Sequence, residues 1–335
     1  MIDKYYNWAT LGTGVIANEL AQALEARGQK LYSVANRTYD KGLEFANKYG
    51  IQKVYDHIDQ VFEDPKVDII YISTPHNTHI SFLRKALANG KHVLCEKSIT
   101  LNSTELKEAI DLAETNHVVL AEAMTIFHMP IYRQLKTLVD SGKLGPLKMI
   151  QMNFGSYKEY DMTNCFFSRD LAGGALLDIG VYALSCIRWF MSEAPHNITS
   201  QVTFAPTGVD EQVGILLTNP ANEMATVSAN EMATVSLSLH AKQPKRATIA
   251  YDKGYIELFE YPRGQKAVIT YTKDGHQDII EAGKTENALQ YEVADMEEAV
   301  SGKTNHMYLN YTKDVMDIMT QLRQEWGFTY PEEEK

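Results

Sequence analysis

Between a short apolar run, Trp8–Leu11, and a stretch with helical spacing stands Gly12-Thr13-Gly14-Val15-Ile16-Ala17, a pattern that few folds accommodate. In the following stretch Ala17, Leu20, Ala21 and Leu24 fall at i, i+3, i+4 and i+7, one apolar stripe along a helix. Each small residue in the loop answers a physical need. Gly12 permits a tight turn, Gly14 lets backbone approach a pyrophosphate, and Ala17 lets the helix pack closely on the strand. The amides at the helix start are then free to hold an anion. The segment Gly12, Thr13, Gly14, Val15, Ile16, Ala17 is therefore expected to bind a dinucleotide.

The same grammar continues through the first 120 residues. Short β-rich runs at 8–11, 31–36, 67–74, 92–96 and 118–121 alternate with helical stretches. Ile80, Leu83 and Leu87 repeat the apolar stripe, Gly90 is placed to close that helix, and Asn102 with Glu105 forms a capping box. Strand and helix in alternation predict a doubly wound parallel sheet. Beyond residue 125 the pattern changes. Helices are expected from Pro130 to Gly142 and over 175–191. Longer alternating strands follow at 198–204, 213–217, 247–251, 255–259 and 267–271, and helices over Ala288–Val300 and 311–326 finish the chain. The fold class expected is α/β: a dinucleotide-binding domain over 1–122, then an α+β domain over 123–335 with a large open, mostly antiparallel sheet. One oddity is a tandem repeat, 221–228 being identical to 229–236. Eight residues is an even number, so a strand register survives the insertion.

The formal charge of −11 argues against nucleic acid or an anionic membrane surface as partner. Three cysteines, Cys95, Cys165 and Cys186, show no metal-ligand spacing. The apolar stretch 173–191 is broken by Asp178 and Arg188, which a membrane span tolerates poorly, and the first residues lack a signal-peptide pattern. A cytoplasmic protein without metal is expected.

Three further places carry chemistry. Asn36-Arg37 closes the second strand: Asn36 lacks the carboxylate that takes ribose hydroxyls, and Arg37 suits a 2′-phosphate, so NADP(H) is preferred and NAD(H) remains possible. Glu96-Lys97 ends a buried strand at the edge where such sheets bind ligands. Asp178 and Tyr182 lie four apart after Gly173-Gly174, facing one way on a helix.

These residues carry a resemblance. Gly12-x-Gly14-x-x-Ala17, Cys95-Glu96-Lys97 and the block from Gly173 to Tyr182 together resemble the glucose–fructose oxidoreductase/inositol dehydrogenase (Gfo/Idh/MocA) family over essentially the whole chain. The nearest likeness is to the subgroup of dimeric dihydrodiol and NADP-dependent D-xylose dehydrogenases. The resemblance implies a Rossmann domain, Lys97, Asp178 and Tyr182 as catalytic residues, and hydride transfer between nicotinamide and a sugar, polyol or related carbonyl. It also implies cofactor contacts from Thr74, Pro75, Asn77, His79, Glu96, Lys97 and Arg169. Substrate contacts are expected from Lys97, His128, Asp178 and Tyr182, and a homodimer through the open sheet, or a dimer of dimers. Ser98 replaces the family's usual proline, and Thr125 and Phe127 stand where the subgroup has Trp and Arg. Two other readings stay open: an NAD-dependent glycoside-cleaving enzyme of the same family, and a nonenzymatic NADPH-binding regulator.

Overall fold

In the computed structural model, which describes residues 5–219 and 231–334, Trp8–Leu11 (β1) is a strand with every residue buried. Burial on both faces is what a helix-covered parallel strand needs. With β2 (Ser33–Ala35), β3 (Lys53–Tyr55), β4 (Ile69–Ile72), β5 (His92–Glu96) and β6 (Leu120–Ala123) it forms a parallel sheet of order β3-β2-β1-β4-β5-β6. The helices α1 (Val15–Ala26), α2 (Tyr39–Tyr49), α3 (Gln60–Glu63), α4 (His79–Ala88) and α5 (Ser103–Thr115) belong to the same unit. The stripe on α1 is the one expected: Ala17, Leu20, Ala21 and Leu24 are at most 2% exposed. Asn102 caps α5 by accepting the Glu105 amide (2.9 Å), while the Glu105 carboxylate accepts the Leu101 amide (2.9 Å). Strand order reverses between β1 and β4, and the crevice outside the carboxyl ends there is where such sheets hold ligands.

The chain divides into two compact units, Met1–Met124 with Asn287–Leu309, and Thr125–Glu286 with Asn310–Lys335. A division at 122/123 leaves the helix Ala288–Val300 in the second domain, yet it packs on α1 of the first. Its Glu297 shows why: the carboxylate accepts from Trp8 Nε1 (3.1 Å) and pairs with Arg27 (2.9 Å).

The second unit holds α6 (Thr125–His128), α7 (Pro130–Asp140) and α8 (Val181–Phe190). Its sheet comprises β7 (Leu147–Gly155), β8 (Asn197–Phe204), β9 (Asp210–Asn219), β10 (Glu231–Ser238), β11 (Gln243–Tyr251), β12 (Gly254–Phe259), β13 (Lys266–Tyr271) and β14 (Gln277–Glu281). The order is β14-β13-β12-β11-β7-β10-β9-β8, antiparallel throughout except for β7 and β10. One face is buried, with Ile150, Met152, Val235, Ile249 and Ile256 all at most 4% exposed. The opposite face exposes Met149, Leu216, Tyr255 and Ile279. The apolar stretch Arg169–Phe190 is mostly buried inside this unit. Of the tandem repeat, the first copy lies outside the described residues; the second, from Glu231 onward, is the start of β10.

Candidate functional site

In the first unit the loop after β1 fits a pyrophosphate. Gly12 has φ +104°, and a Cβ there would lie 2.8 Å from the Ser73 carbonyl oxygen, so turn and close approach both demand glycine. A Cβ on Gly14 would meet nothing within 4 Å, and Val15 beside it is 80% exposed. The amides at the start of α1 have no side-chain cap. Open space in front of uncapped amides is the requirement for a bound anion. Ile16 is half-buried and Ala17 fully buried beneath. Asn18, which the sequence did not single out, braces the turn: its Nδ2 donates to the Gly14 carbonyl (2.8 Å), and its Oδ1 accepts from Lys48 (2.7 Å) and Tyr49 (2.8 Å).

Thr13 Oγ1 reaches Asn36 Oδ1 at 3.4 Å, and Asn36 Nδ2 donates to the Thr38 carbonyl (2.8 Å), which ties the loop after β1 to the one after β2. Arg37 is exposed and pairs with no carboxylate among the described residues. After β4, Thr74 and Thr78 share a hydroxyl hydrogen bond (2.7 Å), Pro75 is exposed, and Asn77 sits half-buried in the single turn His76–Thr78. After β5, Glu96 accepts from the Tyr71 hydroxyl, and Lys97 is half-buried. The Lys97–Ser98 peptide is cis.

Two histidines fasten this second loop. His76 Nε2 lies 3.0 Å from the Lys97 carbonyl oxygen. His79 is fully buried, with Nδ1 3.0 Å from the Ser98 carbonyl and Nε2 2.8 Å from that of Thr74. Burial, reinforced by His76 beside it, pushes the His79 pKa down to about 4, so near neutrality the ring is uncharged and donates to one carbonyl at a time. Whichever nitrogen carries the proton donates to backbone, and the ring sits between the loops after β4 and β5. Glu122 adds a third tie by accepting the Ile99 amide (3.0 Å).

In the second unit, Asp178 and Tyr182 are half-buried at the start of the α8 segment. A regular α-helix was expected over 175–191; Leu176–Gly180 is instead a π-helical turn leading into α8. Such turns are frequent at functional sites. The Tyr182 ring packs at 6.2 Å from that of Phe154. The turn is anchored from below. Gly174 has φ +127°, and a Cβ there would strike the carboxylate of Asp210. Asp210 is fully buried, and its Oδ2 accepts the Leu176 amide at 2.6 Å. Desolvation pushes this carboxyl up to about 6, opposed by the Leu176 amide and Arg323. Arg323 makes a two-pronged pair with Glu333 (2.6 and 2.9 Å), Glu333 accepts the Tyr330 amide (2.8 Å), and the Tyr330 hydroxyl donates to the Gly173 carbonyl (2.7 Å). These partners come from remote stretches of chain, and no local spacing announces them.

Arg169 is engaged inside its own unit: Nη2 donates to the Thr329 carbonyl (2.7 Å) and pairs with Glu334 (3.0 Å), and the guanidinium lies over the Phe328 ring. His128 is 1% exposed. Next to it Phe127 belongs to an aromatic core, stacked on Trp189 (5.9 Å) and edge-on to Tyr311 (5.9 Å).

Comparison with known proteins agrees with this architecture. The model of the oxidoreductase family with an NAD-binding Rossmann fold matches residues 6–124, and the model of the GFO/IDH/MocA C-terminal domain matches 132–257. The trans-1,2-dihydrobenzene-1,2-diol dehydrogenase of Xenopus laevis is 29% identical over 97% of this chain and 99% of its own. The enzyme of that name from Oryctolagus cuniculus is 31% identical over 75% of this chain and 74% of its own. A 3-ketoreductase from Actinomadura kijaniata, solved with NADP and TDP-benzene, superposes with TM-score 0.83 at 20% identity, covering 96% of this chain and 98% of its own. The UDP-N-acetylglucosamine 3-dehydrogenase of Acidithiobacillus ferrooxidans gives 0.79 at 18%, covering 95% and 96%. With both domains matched in order, the chain is an NAD(P)-dependent oxidoreductase belonging to the Gfo/Idh/MocA family.

Proposed function

We propose that this oxidoreductase interconverts a hydroxyl and a carbonyl on a sugar, polyol or related compound, with NADP(H) preferred over NAD(H) and with Lys97 and Tyr182 handling the proton. The observation that carries the reading is the fastening of Lys97. Its own carbonyl is met by His76 from the turn after β4, and the next one by His79 at the start of α4. That placement holds a lysine at the carboxyl end of β5, on the edge of the sheet where the glycine loop also lies. When bound, the nicotinamide supplies hydride exchange with the reacting carbon. Tyr182 gives or takes the hydroxyl proton. An isolated phenol, with pKa ~10, is a poor base near neutrality, and an ammonium beside the phenolate stabilises it. Asp178 orients the substrate hydroxyl or Lys97.

The exposed Arg37, which pairs with no carboxylate among the described residues, offers a forked cation to a 2′-phosphate, and no carboxylate stands at Asn36 to favour an unmodified ribose. The relatives named for a diol and the solved structures named for keto and sugar-nucleotide substrates suit the same carbinol–carbonyl exchange. No disulfide joins Cys95, Cys165 and Cys186, which favours a reducing, cytoplasmic setting. Two copies pair through the open sheet face, where the exposed Met149, Leu216, Tyr255 and Ile279 lie. The test is a screen of aldoses, polyols and diketones by nicotinamide absorbance with both cofactors, run beside Arg37→Ala. Losing a charge-assisted hydrogen bond should weaken NADPH by roughly 10- to 100-fold and leave NADH nearly unchanged. Equal weakening of the two overturns the 2′-phosphate assignment.

A further inference from the structure

Within the second unit a cavity of about 710 Å³ is lined by Gly155, Ser156, Tyr157, Lys242, Gln243, Lys245 and Glu260, among others. Two facts connect it to the chemistry. Lys245 Nζ stands 5.1 Å from the ring centre of Phe154, the ring against which Tyr182 packs at 6.2 Å. Those two legs bound the distance from the ammonium to the Tyr182 ring at about 11 Å. In addition, β11 bulges here: between Gln243 and Arg246 it carries one residue more than the paired stretch of β7 from Gly155 to Asn153. Bulges re-aim side chains and are common beside active sites. Gly155 leaves this crossing without a side chain, since a Cβ would run into the Gln243 amide and the Ala241 carbonyl.

The cavity holds two ammonium groups against one carboxylate. Glu260 lies 3.7 Å from Lys245, beyond hydrogen-bond distance, so the lysine keeps donors to offer. Ser156 adds a hydroxyl, and the exposed face of Tyr157 adds an apolar wall. We propose that this cavity takes the anionic substituent of the substrate, the phosphoryl group of a phosphorylated sugar, while the sugar carbon to be oxidised or reduced lies at Tyr182. Lysines bind phosphate as point charges and tolerate varied geometry, which suits two flexible side chains at the start of β11. The inference rests on Tyr182 being the proton-handling residue.

The experiment compares kcat/KM for an aldose 6-phosphate, the matching aldonate and the neutral aldose, in the wild type and in Lys242→Met and Lys245→Met. Calorimetric titration of the same three compounds into NADPH-loaded protein accompanies it. The phosphate should be favoured over the neutral sugar by at least roughly 10-fold, as a charge-assisted contact implies. That ratio should fall toward one in each lysine variant, and KM for the phosphate should rise with ionic strength. A ratio of one in the wild type, or lysine variants that leave the ratio intact, overturns the proposal. A preference for the aldonate replaces phosphate by carboxylate and overturns it as well. If no compound turns over, the sugar substrate class proposed above fails, and the titration still decides whether the cavity binds the phosphate.

Discussion

His79 and Asp210 are buried titratable side chains that hold backbone in place, and their pH responses have opposite signs. His79 has its pKa pushed down to about 4 against an ordinary 6.5. Between those values the unfolded chain takes a proton that the folded one refuses. Its contribution is therefore intact above pH 6.5 and fades as pH falls toward 4, by at most about 3 kcal/mol. His79→Gln, neutral at every pH, should be less stable than the wild type at pH 7 and should close most of that gap by pH 4.5 in urea unfolding. A gap that stays constant with pH would contradict a buried neutral imidazole. The same variant should also lower kcat, because it frees the loop that carries Lys97. The family resemblance marked His79 as a cofactor contact. It could not show that a backbone carbonyl would face each ring nitrogen, since those carbonyls belong to Thr74 and Ser98.

Among the elements, the π turn and α8 depend on a carboxylate that the strand pattern hides. Asp210 opens β9, and its raised pKa means that the folded state holds a proton the unfolded state has lost between about pH 4 and 6. Its ionisation costs stability above that window and is relieved as pH falls. Asp210→Asn keeps an acceptor for the Leu176 amide and removes the buried charge. It should gain up to about 3 kcal/mol at pH 7 and nothing at pH 4. A variant less stable at both pH values would show that the charge itself, through Arg323, holds the turn. Most elements were legible from periodicity, Trp8–Leu11 and Ala288–Val300 to the residue. β3 escaped because three residues carry no period. β14 escaped because an edge strand with most residues exposed shows no apolar alternation. β7 escaped because Met149 beside Ile150 breaks its alternation, and β10 because it begins inside the repeat.

For the whole molecule, the change of pattern near residue 125 was legible and the later path of the chain was not. The helix Ala288–Val300 looks like any late amphipathic helix until Glu297 meets Trp8 and Arg27, nearly the full length of the sequence away. The glycine loop could be read because its requirements are backbone ones. The support beneath Tyr182 could not, because Asp210, Arg323, Glu333 and Tyr330 are brought together only by folding. The open sheet supplies a test of assembly. Leu216→Glu places a charge on the exposed face without touching the buried one. It should shift sedimentation from dimer to monomer with unchanged far-UV circular dichroism; an unchanged sedimentation coefficient would move the contact elsewhere.

The most direct test is the pair of numbers kcat and NADPH Kd for Tyr182→Phe. Proton transfer is worth roughly 10²- to 10⁴-fold in rate, so kcat should fall by that much while Kd stays within about twofold of wild type. A phenylalanine enzyme that turns over at the wild-type rate, or one that loses NADPH in step with its activity, would contradict a tyrosine that works on the proton.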